Sequence, residues 1–193
     1  MDHVSAEDEI ETLALAIERD RLDLLQETYR RHDRPAPELV WNPQIADLPH
    51  VELQFLIRHW DHLRGHGRLP RHSRIDPLDM QEALGFLMLL EVIDGGADYR
   101  YRLYGSKVAD RSGVDMTGRR LSDFEIEPLT KRFFIAGYRA VVRRREPLAT
   151  VHVHAPNIAI SSTMRLILPL SDETDAVSRL LVGNIPGGWR PPR

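Results

Sequence analysis

The 193 residues, 42% hydrophobic and 28% charged, suffice to bury one real core with an appendage. The formal net charge of −3 excludes an overall basic field for nucleic acid or anionic lipid. The absence of cysteine excludes disulfides, thiolate nucleophiles, iron–sulfur clusters and cysteine-ligated zinc.

The acidic start, MDHVSAEDEIE, has no basic region ahead of an apolar run, so no signal peptide is expected. The longest apolar run, Phe86 to Leu90, is too short to span a bilayer. A cytoplasmic protein with no membrane partner is the expectation. Residues 5–32 read as one amphipathic helix, with Ser5 as N-cap and Glu7, Asp8 and Glu9 in the first turn. Ile10, Leu13, Ile17 and Leu24 form its stripe, widened by Leu22, Leu25 and Tyr29. So wide a stripe needs a cover, either the rest of the chain or a second copy, and periodicity does not separate the two. Homodimerisation through this helix is one expectation that follows.

Residues 33–48, with three prolines, read as an extended connector that closes an N-terminal segment, 1–48. A second helix runs from about Pro49 to Arg64, capped by Asp47, with Leu53, Leu56, Ile57, Trp60 and Leu63 on one face. Residues 65–79 form a surface loop, and Leu78 to Leu84 add one short helix. FLMLLEVI, 86–93, is apolar on both faces except at Glu91, as suits a central strand. Asp94-Gly95-Gly96 turns it back into a strand over 97–104. Alternation puts Tyr99, Tyr101 and Leu103 on one face of that strand, and Arg100, Arg102 and Tyr104 on the other.

Gly105, Gly113 and Gly118 punctuate a compact loop with a short helical turn. A long helix follows from Pro128 to about Arg145, burying Leu129, Phe133, Ala136 and Ala140, with Phe134, Tyr138 and Val141 beside them. Three strands, 148–154, 158–169 and 177–185, close the domain, with turns at Ala155-Pro156-Asn157 and Ser171–Asp175. Residues 188–193 read as a loose tail. The order predicts an α+β fold: a five-stranded antiparallel sheet with helices on one face, preceded by N-terminal helices.

Four motifs occur in order: Trp60; Gly67-Arg68-Leu69-Pro70 with Arg74-Ile75-Asp76-Pro77; Tyr101-Arg102-Leu103-Tyr104-Gly105-Ser106; and Gly113 to Arg119, GVDMTGR. Leu168-Pro169-Leu170-Ser171 follows them. With the element order, they resemble the PAS sensor domain, and more narrowly the stand-alone bacterial single-PAS proteins. The likeness covers about 50–187, within a sensor domain of 49–187. It implies a small cavity between sheet and helices, and a sensor or adaptor acting in signal transduction through a small molecule, a partner protein or both. It also bears on cofactors. A flavin–cysteinyl adduct or a thioester-linked chromophore needs a cysteine, and there is none. Haem members use a histidine on or near the long helix, and 128–147 holds none. The cofactor, if any, stays unknown.

Arg102, Tyr104 and Arg165 could converge on an anionic ligand, because guanidinium matches carboxylate or phosphate geometry; a cross-strand or inter-subunit ion pair is the competing account. Phe133, Phe134, Tyr138 and Met164 are candidates for apolar lining, or plain core, or both. His152 and His154 share one strand face; alternation alone explains them, and His152 stays among the candidate ligand contacts. His59, His62 and His66 would share a face only if their helix passed Gly65, so solvated histidines compete with a zinc or nickel site. Arg139 and Arg143–Arg145 form a basic helix end, read as dipole complementarity and solubility. Ser161, Ser162 and Thr163 lack a glycine elbow and an oriented histidine–acid pair, so no enzyme is expected. A metal-dependent enzyme built on the histidines and a ligand-free structural module are the alternatives. With no kinase, cyclase or DNA-binding segment in the sequence, output is expected through an unidentified partner protein.

Overall fold

The structure, a computed structural model, describes residues 5–154 and 160–188. The turn expected at Ala155-Pro156-Asn157 and most of the tail lie outside them. Ser5 caps the first helix, α1 (Ala6–Glu18), as expected: its Oγ accepts from the Asp8 N–H, and the Asp8 carboxylate accepts from the Ser5 N–H. The expected single helix is two, however. Asp20 takes a left-handed φ of 55° and ends α1, and α2 (Leu22–Arg31) starts afresh. Aspartate tolerates that backbone better than most residues because its short side chain bonds locally. The break leaves Leu22 and Leu24 exposed and buries Leu25 and Tyr29.

The order continues β1 (Glu38–Trp41), α3 (Val51–Arg64), β2 (Leu87–Ile93), β3 (Asp98–Tyr104), α4 (Ser106–Ser112), α5 (Pro128–Arg144), β4 (Leu148–Val153), β5 (Ser162–Ser171) and β6 (Val177–Pro186), with 3-10 turns between. Asp47 closes one such turn and does not cap α3, which His50 begins without a side-chain cap. All strands pair antiparallel in the order β1-β4-β5-β6-β2-β3. The sheet has six strands, one more than expected. The sixth is β1, hidden within the connector because four residues between prolines carry too little alternation to register.

The two faces of the sheet bury separate cores. α3 covers one, setting Leu53, Leu56, Ile57 and Trp60 against Leu166, Leu168 and Leu181. Its Leu53 and Leu56 sit over Gly183, where a Cβ would meet them at 2.4 and 2.7 Å. Trp60 donates its indole N–H to the Pro169 carbonyl at 2.9 Å. Helices therefore lie on both faces, not one. The other face carries α4 and α5, and α1 packs on the outside of α5.

α5 is consequently buried nearly all round through its middle, Phe133 to Val141. Glu127 caps it by accepting from the N–H groups of Leu129 and Thr130 at 2.9 Å each, and Arg145 closes it at φ 60°. Ile10, Leu13, Ala14 and Ile17 of α1 join the core of α5. Of the stripe that motivates pairing with a second copy, Ile10, Leu13, Ile17, Leu25 and Tyr29 are covered within the chain, and Leu22 and Leu24 are exposed. Carboxylates flank it: Glu9 lies 2.6 Å from Arg132, Glu7 2.7 Å from Arg139, and Glu11 2.8 Å from Arg143. Of the basic helix end, Arg139 and Arg143 meet the acids of α1, while Arg144 pairs with Glu146 and Arg145 with Asp175, so ion pairing adds to the reading as dipole complementarity and solubility.

One strand departs from simple alternation. The register of β2 against β3 pairs Leu89 with Leu103 and Leu90 with Tyr101, leaving Arg102 as an extra residue, a β-bulge. The bulge turns Leu103 to the α3 face and Tyr104 to the α5 face beside Tyr99 and Tyr101. The expected assignment of Leu103 and Tyr104 is therefore exchanged.

Candidate functional site

A cavity of about 630 Å³ lies on the α5 face, between the strands and the segment from α4 to the start of α5. Its floor is built from alternate residues of neighbouring strands. Arg165 of β5 stands directly opposite Asn184 of β6, and Thr163 lies two residues along on the same face. Tyr104 closes one end. Phe134 and Thr130 come from α5, and Val108, Met116, Phe124 and Ile126 from the covering segment. Two turns shape that cover: Gly113 ends α4 at φ 75°, and the Gly118 N–H donates to the Tyr101 carbonyl at 2.7 Å, holding the loop to β3.

Arg165 dominates the chemistry. Its side chain is buried, with 6% of the residue exposed. Nε donates to Asn184 Oδ1 at 2.9 Å and Nη1 to the Tyr138 hydroxyl at 3.2 Å. The guanidinium carbon sits 3.2 Å from the Phe134 ring centre, a cation–π contact. These partners are all neutral. Among the described residues no carboxylate lies within ion-pair distance, although desolvating an ion costs on the order of several kcal/mol. The nearby Glu127 carboxylate is taken by the α5 cap and by Thr130 Oγ1.

His152 lies beside this site in an aromatic nest. Its ring stacks on Phe133 at 5.2 Å and meets Tyr29 and Phe134 edge-on. Only 1% of it is exposed, so the partly solvated position that alternation allows is corrected. Burial first, then the charges of His154, Arg165 and Arg34, push its pKa down to about 3. The ring is neutral near neutral pH. The Tyr29 hydroxyl meets Nε2 at 3.4 Å, and Nδ1 has no partner among the described residues. His154, beyond the strand end, meets Thr163 Oγ1 through Nε2 at 2.6 Å.

The sequence candidates divide accordingly. Tyr104, Phe134 and Arg165 line the cavity; Phe133, Tyr138 and His152 form the layer behind it. Arg102 is exposed on the opposite face, 3.9 Å from Glu91, as its competing ion-pair account required. Met164 belongs to the α3 core, since adjacent residues of one strand cannot face the same way. Asn184 was missed. Its signal was available: a lone amide in the apolar strand SRLLVGNIP. The α3 helix ends at Arg64, before His66, and His59 stacks on Phe55. Among the described residues no group of three or more histidine, aspartate or glutamate side chains could hold a metal ion.

Strands, covering segment and long helix around one cavity match a known family. The model of the PAS domain matches residues 48–185. The chain belongs to the PAS domain family. Among curated proteins none matches it. Among solved structures it is similar to an RNA-binding light-oxygen-voltage receptor at 11% identity, with a TM-score of 0.40, over 86% of this chain and 43% of that one. The PAS domain places the protein among sensory and signalling modules, which are typically non-enzymatic. Among the described residues no helix is long and apolar enough to cross a membrane.

Proposed function

We propose that this PAS domain is a bacterial cytoplasmic sensor that holds a small molecule in the cavity over Arg165 and reports its occupancy by contact with a partner protein. One observation carries the reading. The cavity, about 630 Å³, falls within the roughly 300–1,000 Å³ of small-molecule sites and joins apolar walls to a few fixed polar groups. Tyr104, Phe134 and Arg165 are its direct contacts; Phe133, Tyr138 and His152 fix the shape of the wall. The route outward is α5, which lines the cavity with Thr130 and Phe134 and carries α1 on its other side.

Native mass spectrometry of protein purified from its own host tests this. The expected result is a retained non-covalent mass in the wild type, lost when Val108→Trp fills the cavity. A bare polypeptide that also gains no thermal stability from any member of a metabolite library would overturn the sensing reading.

A further inference from the structure

We infer that the ligand is a monocarboxylate with an apolar body, its carboxylate seated on the free edge of Arg165. This rests on the sensor reading and names the class of molecule that the same cavity takes. A guanidinium carries its positive charge in any protein environment and offers five N–H donors. Two of them are engaged, by Asn184 Oδ1 and the Tyr138 hydroxyl, and both hydrogens of Nη2 find no acceptor among the described residues. The group is buried, stacked on Phe134 and held from two sides, so its orientation is fixed before anything arrives. Fixed N–H groups in a sheltered site favour the planar, charge-assisted bonding that a carboxylate accepts.

Among the described residues no carboxylate pairs with Arg165, Glu125 of the exposed lining included. Glu127 is occupied by the α5 cap, and Asp123 Oδ2 accepts the Arg120 N–H. His152 adds no second positive charge, because its aromatic surroundings keep it neutral. One buried cation matches one negative charge, which favours a carboxylate over a phosphate carrying nearly two. The apolar part of the wall, Val108, Met116, Phe124 and Ile126, suits an alkyl or aromatic body, while the other charged lining residues, Arg111, Arg119, Asp123, Glu125 and Glu127, are exposed or half-buried, unlike Arg165.

The test compares acids with their amides in thermal-shift and calorimetric titrations of the whole chain. The probes are octanoate against octanamide, benzoate against benzamide, and inorganic phosphate alone. At least one acid should raise the melting temperature and bind ten-fold or more tighter than its amide, while phosphate does nothing. The two pairs also separate an alkyl body from an aromatic one. Arg165→Gln should erase the acid preference. Should that variant fold poorly, Asn184→Asp gives a second reading, since it sets an internal carboxylate against Nε and should also abolish acid binding. The acid–amide contrast in the wild type needs no variant. An amide that binds as tightly as its acid overturns the carboxylate assignment and leaves the sensor reading standing. Stabilisation by phosphate alone overturns the assignment too. A cavity that takes neither acid nor amide overturns the carboxylate assignment, whereas the sensor reading falls only if host-purified protein retains no mass and no metabolite stabilises it.

Discussion

Arg139, on the outer side of α5, places Nη1 2.7 Å from Glu7 and 3.1 Å from Glu11, while its Nε donates to the Gly96 carbonyl at 3.2 Å. One side chain thereby ties α1, α5 and the β2–β3 turn together. Its carboxylate partners face water, so the attraction is partly screened. Arg139→Met should cost about 1–2 kcal/mol in urea unfolding, and Glu7→Gln close to nothing.

Glu11 gives the same interface a pH dependence. The hydrogen bond from Arg143 outweighs burial and, with Arg139, holds the Glu11 carboxyl below its ordinary value of 4.5. A depressed carboxylate contributes stability above the unfolded value and loses it as pH falls through the native one. The difference in stability between wild type and Glu11→Gln should be constant above about pH 5 and shrink on acidification below the ordinary glutamate range. Parallel urea titrations that show a constant difference down to pH 3 would count against the pairing.

His152 acts in the same direction for another reason. An unfolded histidine takes its proton near 6.5, whereas the native ring stays neutral down to about 3. Within that window the unfolded state binds more protons, so stability rises with pH and falls on acidification. Acidifying from pH 7 to pH 4 should remove about 3 kcal/mol through this group. His152→Phe should flatten that part of the profile, and NMR should show a ring that does not titrate between pH 5 and 8.

Two glycines should respond oppositely to alanine. At Gly105 a Cβ would lie 2.4 Å from the Gly85 carbonyl oxygen, and backbone cannot yield as a side chain does. Gly105→Ala should cost about 3 kcal/mol. Gly137, inside α5, has its nearest neighbour, Ile167 Cδ1, 4.0 Å away. Gly137→Ala should gain about 0.5–1 kcal/mol by restricting the unfolded chain. Thermal melts of the pair decide both.

Much of the fold was legible because its signals are local and strong. Ser5 with Asp8, Asp94-Gly95-Gly96, and the apolar run through Leu87–Leu90 each have one favoured reading, and each adopts it. The misses share a cause: each depends on something outside its own window. Asp20 interrupts a helical pattern that otherwise continues through Leu24 and Leu25. The strand at Glu38–Trp41 exists because β4 offers an edge to pair with. The bulge at Arg102 is invisible without β2, so alternation separates Tyr104 from Tyr99 and Tyr101, whereas all three share the α5 face and Tyr104 lines the cavity as a candidate contact. At the site, Arg165 was legible as a charge inside an apolar strand. Asn184 carried the same signal, but becomes meaningful only when the two strands lie side by side.

The position of α5 has a consequence for how the molecule can respond at all. Phe134 touches the cavity arginine, and Arg143 is locked to Glu11 nine residues later, about 13 Å along the same rod. A rigid helix gripped at both stations has no slack between them. On the proposed sensor reading, a roll or slide that a guest imposes at Phe134 is passed along this rod to the charges that α5 shares with α1.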